Sequence, residues 1–258
     1  MLEGARLAVV IPAYDEERLI ATTLATLPTF VDLVIVVDDA SRDGTSSVAA
    51  SFGQAFAGKL TVLRHSSNRG VGASIATGYR AALEAGADVI AVMAGDAQMH
   101  PDDLLPLALP VVRGEIDYAK GDRLHHPATP RVMPRARFVV GSILSRLTKW
   151  AAGLDDFSDS QCGYTAISSR AARVIDLDRL FPRFGYPNDI VGKLVLAGCS
   201  IRDVPVRPVY GDEASGIRPW HVVVIVGLIA KVALLRWARQ PELLPPQERR
   251  ARATISSA

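Results

Sequence analysis

The chain has 258 residues, of which 49% are hydrophobic and 22% are charged. This length fits one large domain or one domain with an appendage. The composition excludes disordered, collagen-like and disulfide-rich chains. A net charge of +2 gives no general attraction to nucleic acid. Cys162 and Cys199 lie far apart without metal-ligand spacing, so we expect reduced, buried thiols of a cytoplasmic protein.

Apolar, β-branched segments alternate with helix-like segments along the first hundred residues. The predicted strands are Leu7–Ile11, Leu33–Val37, Leu60–Leu63 and Val89–Met93, and the predicted helices are Glu16–Leu27, Gly44–Phe52 and Val71–Ala85. This alternation predicts an α/β fold with a mostly parallel sheet flanked by helices, and fully apolar strands indicate burial on both faces. Ligands of such sheets bind beyond the carboxyl ends of the strands.

The pattern is less regular after residue 103. We expect helices at Leu104–Val112, at the basic amphipathic segment Arg131–Trp150 and at Asn188–Ala197, with strands at Tyr118–Lys120, Gln161–Ser168 and Ser200–Val206. The first ten residues lack the pattern of a signal peptide. Residues 1–218 are expected to form one domain.

An apolar helix is expected over residues 219–239, followed by a disordered tail over 240–258. Its longest apolar run is Val222–Ala230, and Lys231 interrupts the hydrophobic stretch, which is shorter than the roughly 20 residues of a membrane span. Three alternatives remain open: a helix packed on the core, a helix lying in the membrane interface, and a membrane span, of which the span is the least favoured. In the second case, Trp220, Trp237, Arg236 and Arg239 would lie at headgroup level.

Acidic residues follow two of the predicted strands. Asp38 and Asp39 end the second strand, where carboxylates suit hydrogen bonds to a base or to ribose hydroxyls, and helix capping is the alternative. Asp96 follows the fourth strand, where one carboxylate and a diphosphate could hold Mg²⁺ or Mn²⁺, again with capping as the alternative. The two commonest glycine-rich phosphate loops are absent from the sequence.

Four motifs occur in an order and spacing that resemble family 2 glycosyltransferases, most closely the dolichol-phosphate mannose synthase branch. They are Val-Val-Ile-Pro-Ala-Tyr-Asp-Glu-Glu at 9–17, Val-Val-Asp-Asp-Ala-Ser-Arg-Asp-Gly-Thr at 36–45, Asn-Arg-Gly-Val-Gly-Ala-Ser at 68–74 and Gly-Asp-Ala-Gln-Met-His-Pro at 95–101. The resemblance implies a GT-A fold.

The resemblance also implies a nucleotide-sugar site. Its expected residues are Pro12, Ala13, Tyr14 and Glu16 as one wall, Val37 and Asp39 at the base and ribose, and Gly95, Asp96, Gln98 and Arg123 around the sugar diphosphate. The family's Asp-x-Asp metal motif falls on residues 94–96, where Ala94 replaces the first acid. Asp96 is therefore the single expected ligand of Mg²⁺ or Mn²⁺.

On the acceptor side, the resemblance points to Asp159 and to Asp189 as catalytic candidates beside Asp96 and Arg123. Residues 210–216 resemble a loop that closes over the donor. In this loop region Pro208 and Ala214 stand where the family carries an arginine and a lysine, and either Arg207 or Arg218 is a candidate substitute.

The implied reaction is an inverting transfer from a nucleotide-diphosphate sugar to an acceptor, expected to be a polyprenyl phosphate. Metal at Asp96 and the Arg123 guanidinium would stabilise the departing diphosphate. Asp159 or Asp189 would serve as general base if the acceptor were a sugar hydroxyl, as in cell-envelope polysaccharide synthesis. The basic segment 131–149 and the helix 221–239 would face anionic lipid at the inner face of the plasma membrane, or form ordinary surface and core helices.

Two further alternatives are a non-catalytic sugar-nucleotide-binding subunit and a nucleotidyltransferase. Ala94, Pro208 and Ala214 motivate the first, because each removes a charged residue of the family pattern. The second is disfavoured because no glycine-rich basic loop follows the first strand.

Overall fold

A computed structural model describes residues 1–210 and 219–243 of the chain. The strands are β1 (Leu7–Ala13), β2 (Leu33–Asp38), β3 (Leu60–Arg64), β4 (Val89–Val92), β5 (Tyr118–Asp122), β6 (Thr165–Ser168) and β7 (Ile201–Pro205). The helices are α1 (Ile20–Ala25), α2 (Thr45–Ser51), α3 (Val71–Glu84), α4 (Leu104–Val112), α5 (Thr129–Val132), α6 (Arg135–Ala152), α7 (Ser169–Val174), α8 (Tyr186–Leu196) and α9 (Pro219–Leu243). Short 3₁₀ turns occur at Pro101–Asp103 and Leu177–Arg179.

The seven strands form one sheet in the order β3-β2-β1-β4-β6-β5-β7. All neighbouring strands run parallel except β6, which is antiparallel to both β4 and β5. The predicted α/β fold with a mostly parallel sheet is confirmed. Strand β1 explains the apolar sequence pattern: Val10 packs in the core on one face of the sheet and Val9 in the core on the other, and both are fully buried.

Helix α1 begins at Ile20, four residues later than the sequence pattern predicts. The backbone amides of the preceding turn donate to side chains of the loop after β2 instead of entering a helix. Glu16 N donates to Thr45 Oγ1 at 2.8 Å, and Glu17 N donates to Asp43 Oδ2 at 3.1 Å. The loop after β1 is therefore held at the carboxyl edge of the sheet.

The predicted helix Arg131–Trp150 is two helices, α5 and α6. They are separated at Pro134, whose extended backbone and missing N–H stop the first helix while allowing the next to start. The predicted strand Gln161–Ser168 is also shorter, because β6 begins at Thr165 and the residues before it form a turn.

Helix α9 packs against α6 and α8. The expectation that this stretch is too short for a membrane span is wrong: its segment Trp220–Ala238 is long and apolar enough to cross a membrane, judged by length and composition alone. Of that segment 17% is buried, so α9 packs along α6 and α8 with most of its length exposed. The helix ends at Leu243, beyond the predicted end at residue 239; residues 244–258, most of the predicted tail, lie outside the described part of the chain.

Candidate functional site

The loops that follow β1, β2 and β4 meet at the carboxyl edge of the sheet. Asp39 N donates to the carbonyl of Ala13 at 2.9 Å, and Gly95 N donates to the carbonyl of Pro12 at 3.1 Å. A side chain at Gly95 would approach the Ala13 Cβ within 3.2 Å, so glycine permits this close contact. The three sequence motifs predicted to share a site are therefore neighbours in space.

Side chains and unusual backbone angles fix the same three loops. Asp15 N donates to Ser41 Oγ at 3.0 Å, while Arg42 N donates to Asp15 Oδ1 at 2.7 Å. Asp15, Ala40 and Ala97 adopt left-handed backbone conformations, with φ values of 56°, 61° and 56°. Non-glycine residues rarely adopt this conformation, and such residues cluster at functional sites.

The residues predicted to form one wall of the nucleotide site differ in their exposure to solvent. Pro12 and Ala13 are buried, Glu16 is half-buried and Tyr14 is exposed. The side chain of Val37 is fully buried in the core beside α3, so it lies beneath this edge as part of its floor.

The adjacent acids Asp38 and Asp39 are both buried and have separate partners. Asp38 accepts a hydrogen bond from Ser41 N at 2.8 Å and forms an ion pair with Arg64. Distinct partners for each carboxylate explain how two neighbouring acids are tolerated at a buried strand end.

The carboxylate of Asp39 holds the start of α3. It accepts hydrogen bonds from Arg69 N at 2.8 Å and Gly70 N at 2.6 Å, and it lies 2.7 Å from His65 Nδ1. The other nitrogen of His65 lies 3.0 Å from Thr77 Oγ1. The sequence analysis did not predict His65 as a site residue. Its position directly after β3, at the same edge of the sheet, could have indicated that it lies at the site. The contact of Asp39 with a base or ribose stays a prediction.

The glycines of the motif at 68–74 allow a close approach between α3 and the segment before α8. A side chain at Gly72 would lie 2.1 Å from the Phe181 carbonyl oxygen, and Gly72 N donates to the Pro182 carbonyl at 2.8 Å. Gly70 has a φ of +95°, which favours glycine. This motif therefore joins the two halves of the molecule at the site.

Asp96 lies half-buried in the turn after β4, and its Oδ1 accepts a hydrogen bond from Gln98 N at 3.0 Å. Within residues 1–210 and 219–243, no three acidic, histidine or cysteine side chains come together in a metal-binding cluster. One carboxylate suits a cation such as Mg²⁺ that completes its coordination with substrate phosphates and water. The residues present therefore fit a metal that binds together with a diphosphate.

Arg123 and Asp159, predicted as separate site residues, form a two-pronged ion pair. Arg123 Nε lies 2.8 Å from Asp159 Oδ2, and Nη2 lies 3.2 Å from Oδ1. Asp159 is buried, whereas 23% of the Arg123 side chain is exposed. Burial acts to raise the pKa of Asp159, but the charge and hydrogen bonds of Arg123 outweigh it and lower that pKa. Both groups therefore stay charged, with the guanidinium held rigidly at the end of β5.

Lys120 is a fully buried lysine in β5 that sequence reasoning left without a role. It donates a hydrogen bond to the Cys162 carbonyl. Burial lowers its pKa, against the opposing influence of Asp159 and Asp203. Burial also raises the pKa of Asp203 to about 6, and its Oδ1 has no hydrogen-bond partner among the described residues. A lysine inside a strand of the sheet is the sequence feature that could have indicated this buried charged group.

Asp189 lies in the first turn of α8 and is buried. Its Oδ2 accepts a hydrogen bond from Phe181 N at 2.9 Å and forms an ion pair with Lys193. The carboxylates of Asp159 and Asp189, the two candidate general bases, thus each have a charged partner within the protein.

Arg207 contacts the turn that follows β4. Its backbone N donates to Asp103 Oδ2 at 2.7 Å, and its guanidinium lies 3.1 Å from Asp102 Oδ2. Nearby, the Arg137 guanidinium lies 5.0 Å from the ring centre of Tyr210. The predicted closing loop beyond Tyr210, including Ala214, and the candidate Arg218 lie outside the described residues, as does the side chain of Arg239.

Residues 8–175 match the family model described as Glycosyl transferase family 2. The chain is 26% identical over 242 residues to a UDP-N-acetylglucosamine–dolichyl-phosphate N-acetylglucosaminyltransferase of Methanococcus voltae, covering 89% of this chain and 96% of that protein. It is 30% identical over 211 residues to an undecaprenyl-phosphate mannosyltransferase of Micrococcus luteus, covering 78% of this chain and 82% of the relative.

The fold also resembles solved structures. Glucosyl-3-phosphoglycerate synthase from Mycobacterium tuberculosis, crystallised with Mn²⁺, UDP and glucosyl-3-phosphoglycerate, superposes with a TM-score of 0.65. The match has 19% identity and covers 90% of this chain and 81% of that one. At this identity the likeness concerns the fold, and it confirms the GT-A architecture expected from the sequence.

Proposed function

Because this chain belongs to glycosyl transferase family 2, we propose that it transfers a sugar from a nucleotide-diphosphate sugar to a polyprenyl phosphate, with inversion at the sugar carbon. One observation carries the choice of acceptor: relatives matched over most of both chains have dolichyl or undecaprenyl phosphate in their names. In the proposed reaction, a phosphate oxygen of the lipid attacks the anomeric carbon while the nucleoside diphosphate leaves.

The acidic side chains of the acceptor side support this choice. A phosphate acceptor is already anionic, so it needs no strong general base. A sugar hydroxyl must lose a proton, yet Asp159 is paired with Arg123 and Asp189 with Lys193. Neither carboxylate is arranged as an unpaired base.

Arg123 is the proposed source of positive charge for the departing diphosphate. Its guanidinium is partly exposed at the carboxyl edge while Asp159 fixes its orientation. A preoriented cation costs little reorganisation when negative charge develops on the leaving group. The loops at 12–16, 37–39 and 95–98 would bind the nucleotide and sugar beside it.

Asp96 would contribute one carboxylate to Mg²⁺ or Mn²⁺ in the donor complex. The metal supplies charge neutralisation of the diphosphate when bound. With Ala94 in place of a second acid, we expect the affinity for metal to depend strongly on the presence of the nucleotide diphosphate.

The chain is proposed to work at the cytoplasmic face of a membrane, where a polyprenyl phosphate would be presented. Nineteen large hydrophobic side chains are exposed among the described residues. Most of them lie on two helices: Phe138, Val139, Val140, Ile143, Leu147 and Trp150 on α6, and Trp220, Val223, Val224, Val226, Leu234, Leu235 and Trp237 on α9. This concentration supports contact with lipid. The buried, unpaired Cys162 and Cys199 suit a reducing compartment.

The test combines the purified full chain with UDP- and GDP-sugars, Mg²⁺ or Mn²⁺, and a short-chain polyprenyl phosphate in detergent. We expect a glycosylated lipid phosphate and a nucleoside diphosphate, detected by mass spectrometry. A parallel arm with a saccharide acceptor tests the hydroxyl-transfer alternative. Donor binding in calorimetry without product in either arm would contradict the proposal and favour a non-catalytic subunit.

A further inference from the structure

An open surface cavity of about 530 Å³ lies where the carboxyl-terminal end of α6 meets α9. Arg146, Lys149 and Arg236 line it together with Trp150, and one acid, Asp155, lies beside them. None of the three cations forms an ion pair within the part of the chain that the structure describes. The cavity therefore has an excess of positive charge that the described carboxylates do not neutralise.

Arg236 is held in place by the end of α6. Its Nη1 lies 3.3 Å from the Trp150 carbonyl oxygen, to which it donates. Its guanidinium packs against Gly153, where a side chain would lie 2.0 Å from the Arg236 Cζ. Backbone contacts thus orient this cation, while no carboxylate of residues 1–210 or 219–238 pairs with its positive charge.

An apolar cavity of about 330 Å³ adjoins the basic one. It is lined by Trp150, Ala151, Ala233, Leu234, Arg236 and Trp237. Trp150 and Arg236 belong to both cavities, so the basic and apolar parts are continuous. A basic region joined to an apolar region, with tryptophans at the boundary, matches a molecule that has an anionic head and a hydrocarbon tail.

These cavities are separate from the proposed catalytic site. Arg137, in the first turn of α6, lies over Tyr210 near Arg123, whereas Lys149 lies twelve residues further along the same helix. At 1.5 Å per residue, the separation along the helix is about 18 Å. A phosphate held by Lys149 is therefore too far away to be the phosphate that attacks the sugar.

We infer that the joined cavities bind an anionic phospholipid of the membrane, with its headgroup phosphate among Arg146, Lys149 and Arg236 and its acyl chain along Trp150 and Leu234. This inference rests on the proposed action at a membrane surface. Bound phospholipid would fix the orientation of α6 and α9 on the bilayer, and so the position of the catalytic edge relative to the lipid acceptor.

The test measures flotation of the full chain with phosphatidylcholine vesicles, with and without about 30 mol% phosphatidylglycerol. The variant combines Arg146→Gln, Lys149→Gln and Arg236→Gln. The matched control removes three exposed cations elsewhere, by Lys59→Gln, Arg173→Gln and Arg179→Gln. A cation near an anionic surface changes binding roughly fivefold, so we expect about 100-fold weaker partitioning for the variant and less than about tenfold for the control.

Equal losses in both triple variants, or unchanged binding of the cavity variant, would overturn the inference. Arg236 also contacts the end of α6, so the triple variant could fold poorly. In that case the double variant Arg146→Gln/Lys149→Gln replaces it, and we expect its partitioning onto vesicles to be about 25-fold weaker. Absence of binding by the unaltered chain to either vesicle would also overturn it. Sugar transfer to the short-chain acceptor in detergent is measured separately. Absence of this transfer in the unaltered chain would contradict the proposed reaction, whereas the vesicle experiment alone decides whether the lipid site exists.

Discussion

The two sides of the candidate site are built in different ways. On the loop side, formed by the loops after β1, β2 and β4, backbone amides donate to carbonyl oxygens, as Gly95 N does to Pro12, and to side-chain oxygens, as Asp15 N does to Ser41. On the ion-pair side, between β5 and α8, buried carboxylates pair with cationic side chains, as Asp159 does with Arg123. The loop side is thus held mainly by many separate hydrogen bonds, and the ion-pair side is held mainly by buried charges.

This difference has a consequence for mutation. Several separate hydrogen bonds join the loop side, some of them between backbone atoms, so single side-chain changes leave much of that framework intact. On the ion-pair side, removing one member of a pair leaves the other charge desolvated. We therefore expect the largest effects of single substitutions on the ion-pair side.

The largest effect is expected for Arg123→Gln, which removes the cation proposed to stabilise the leaving diphosphate. Turnover should fall about 10³-fold, as for the loss of a preoriented charge-stabilising donor, and steady-state kinetics with saturating donor measures it. Arg170→Gln is the matched control, because Arg170 pairs with Asp117 at the opposite end of β5. Comparable losses in both variants would argue against a role for Arg123 in the transferase step.

The second largest effect is expected on the free energy of unfolding. Asp159→Asn leaves Arg123 without its buried partner and should lower the free energy of unfolding by about 3 kcal/mol. Urea denaturation measures this change. Asp178→Asn, which breaks the exposed pair with Arg80, should cost less than about 1 kcal/mol. Similar costs for the two variants would remove the distinction between buried and exposed pairs.

A substitution on the loop side can add a charged group instead of removing one. Ala94→Asp supplies a second carboxylate beside Asp96 and should raise Mn²⁺ affinity about tenfold in the presence of nucleoside diphosphate. Calorimetric titration of Mn²⁺ measures the change, and Ala94→Asn controls for side-chain size. If the two variants bind Mn²⁺ equally, the added charge does not reach the metal.

The smallest predicted effect concerns pH. The pKa of Asp203 is raised to about 6 in the folded chain, above its ordinary value, so the folded state holds this proton more tightly than the unfolded state. Its contribution to stability is full below the unfolded pKa and is lost as pH rises through about 6.

Between pH 5 and pH 7 the Asp203 contribution should therefore decrease by about 1 kcal/mol. Asp203→Asn should remove this part of the pH dependence. Urea denaturation of both proteins at the two pH values measures the difference. An unchanged slope in the variant would assign the pH dependence to other groups.

The sequence predicted which loops meet at the carboxyl edge better than it predicted the ion pairs, for a physical reason. Contiguous motifs carry the loops after β1, β2 and β4, and helix α4 was predicted at its observed bounds, Leu104–Val112. The pairing of Arg123 with Asp159 joins residues 36 positions apart, and side-chain periodicity contains no information about such contacts. The antiparallel direction of β6 likewise depends on tertiary packing, because the apolar pattern of a short strand does not indicate the direction in which it runs.

The reversed strand β6 also determines when the sheet can be completed during synthesis. Strand β5 leaves the ribosome before both of its neighbours, β6 and β7. Until these strands emerge, β4 has one open edge, β5 has no neighbouring strand, and Lys120 lacks the Cys162 carbonyl that accepts its hydrogen bond. Translation that stalls before residue 165 should therefore produce a fragment prone to intermolecular strand pairing.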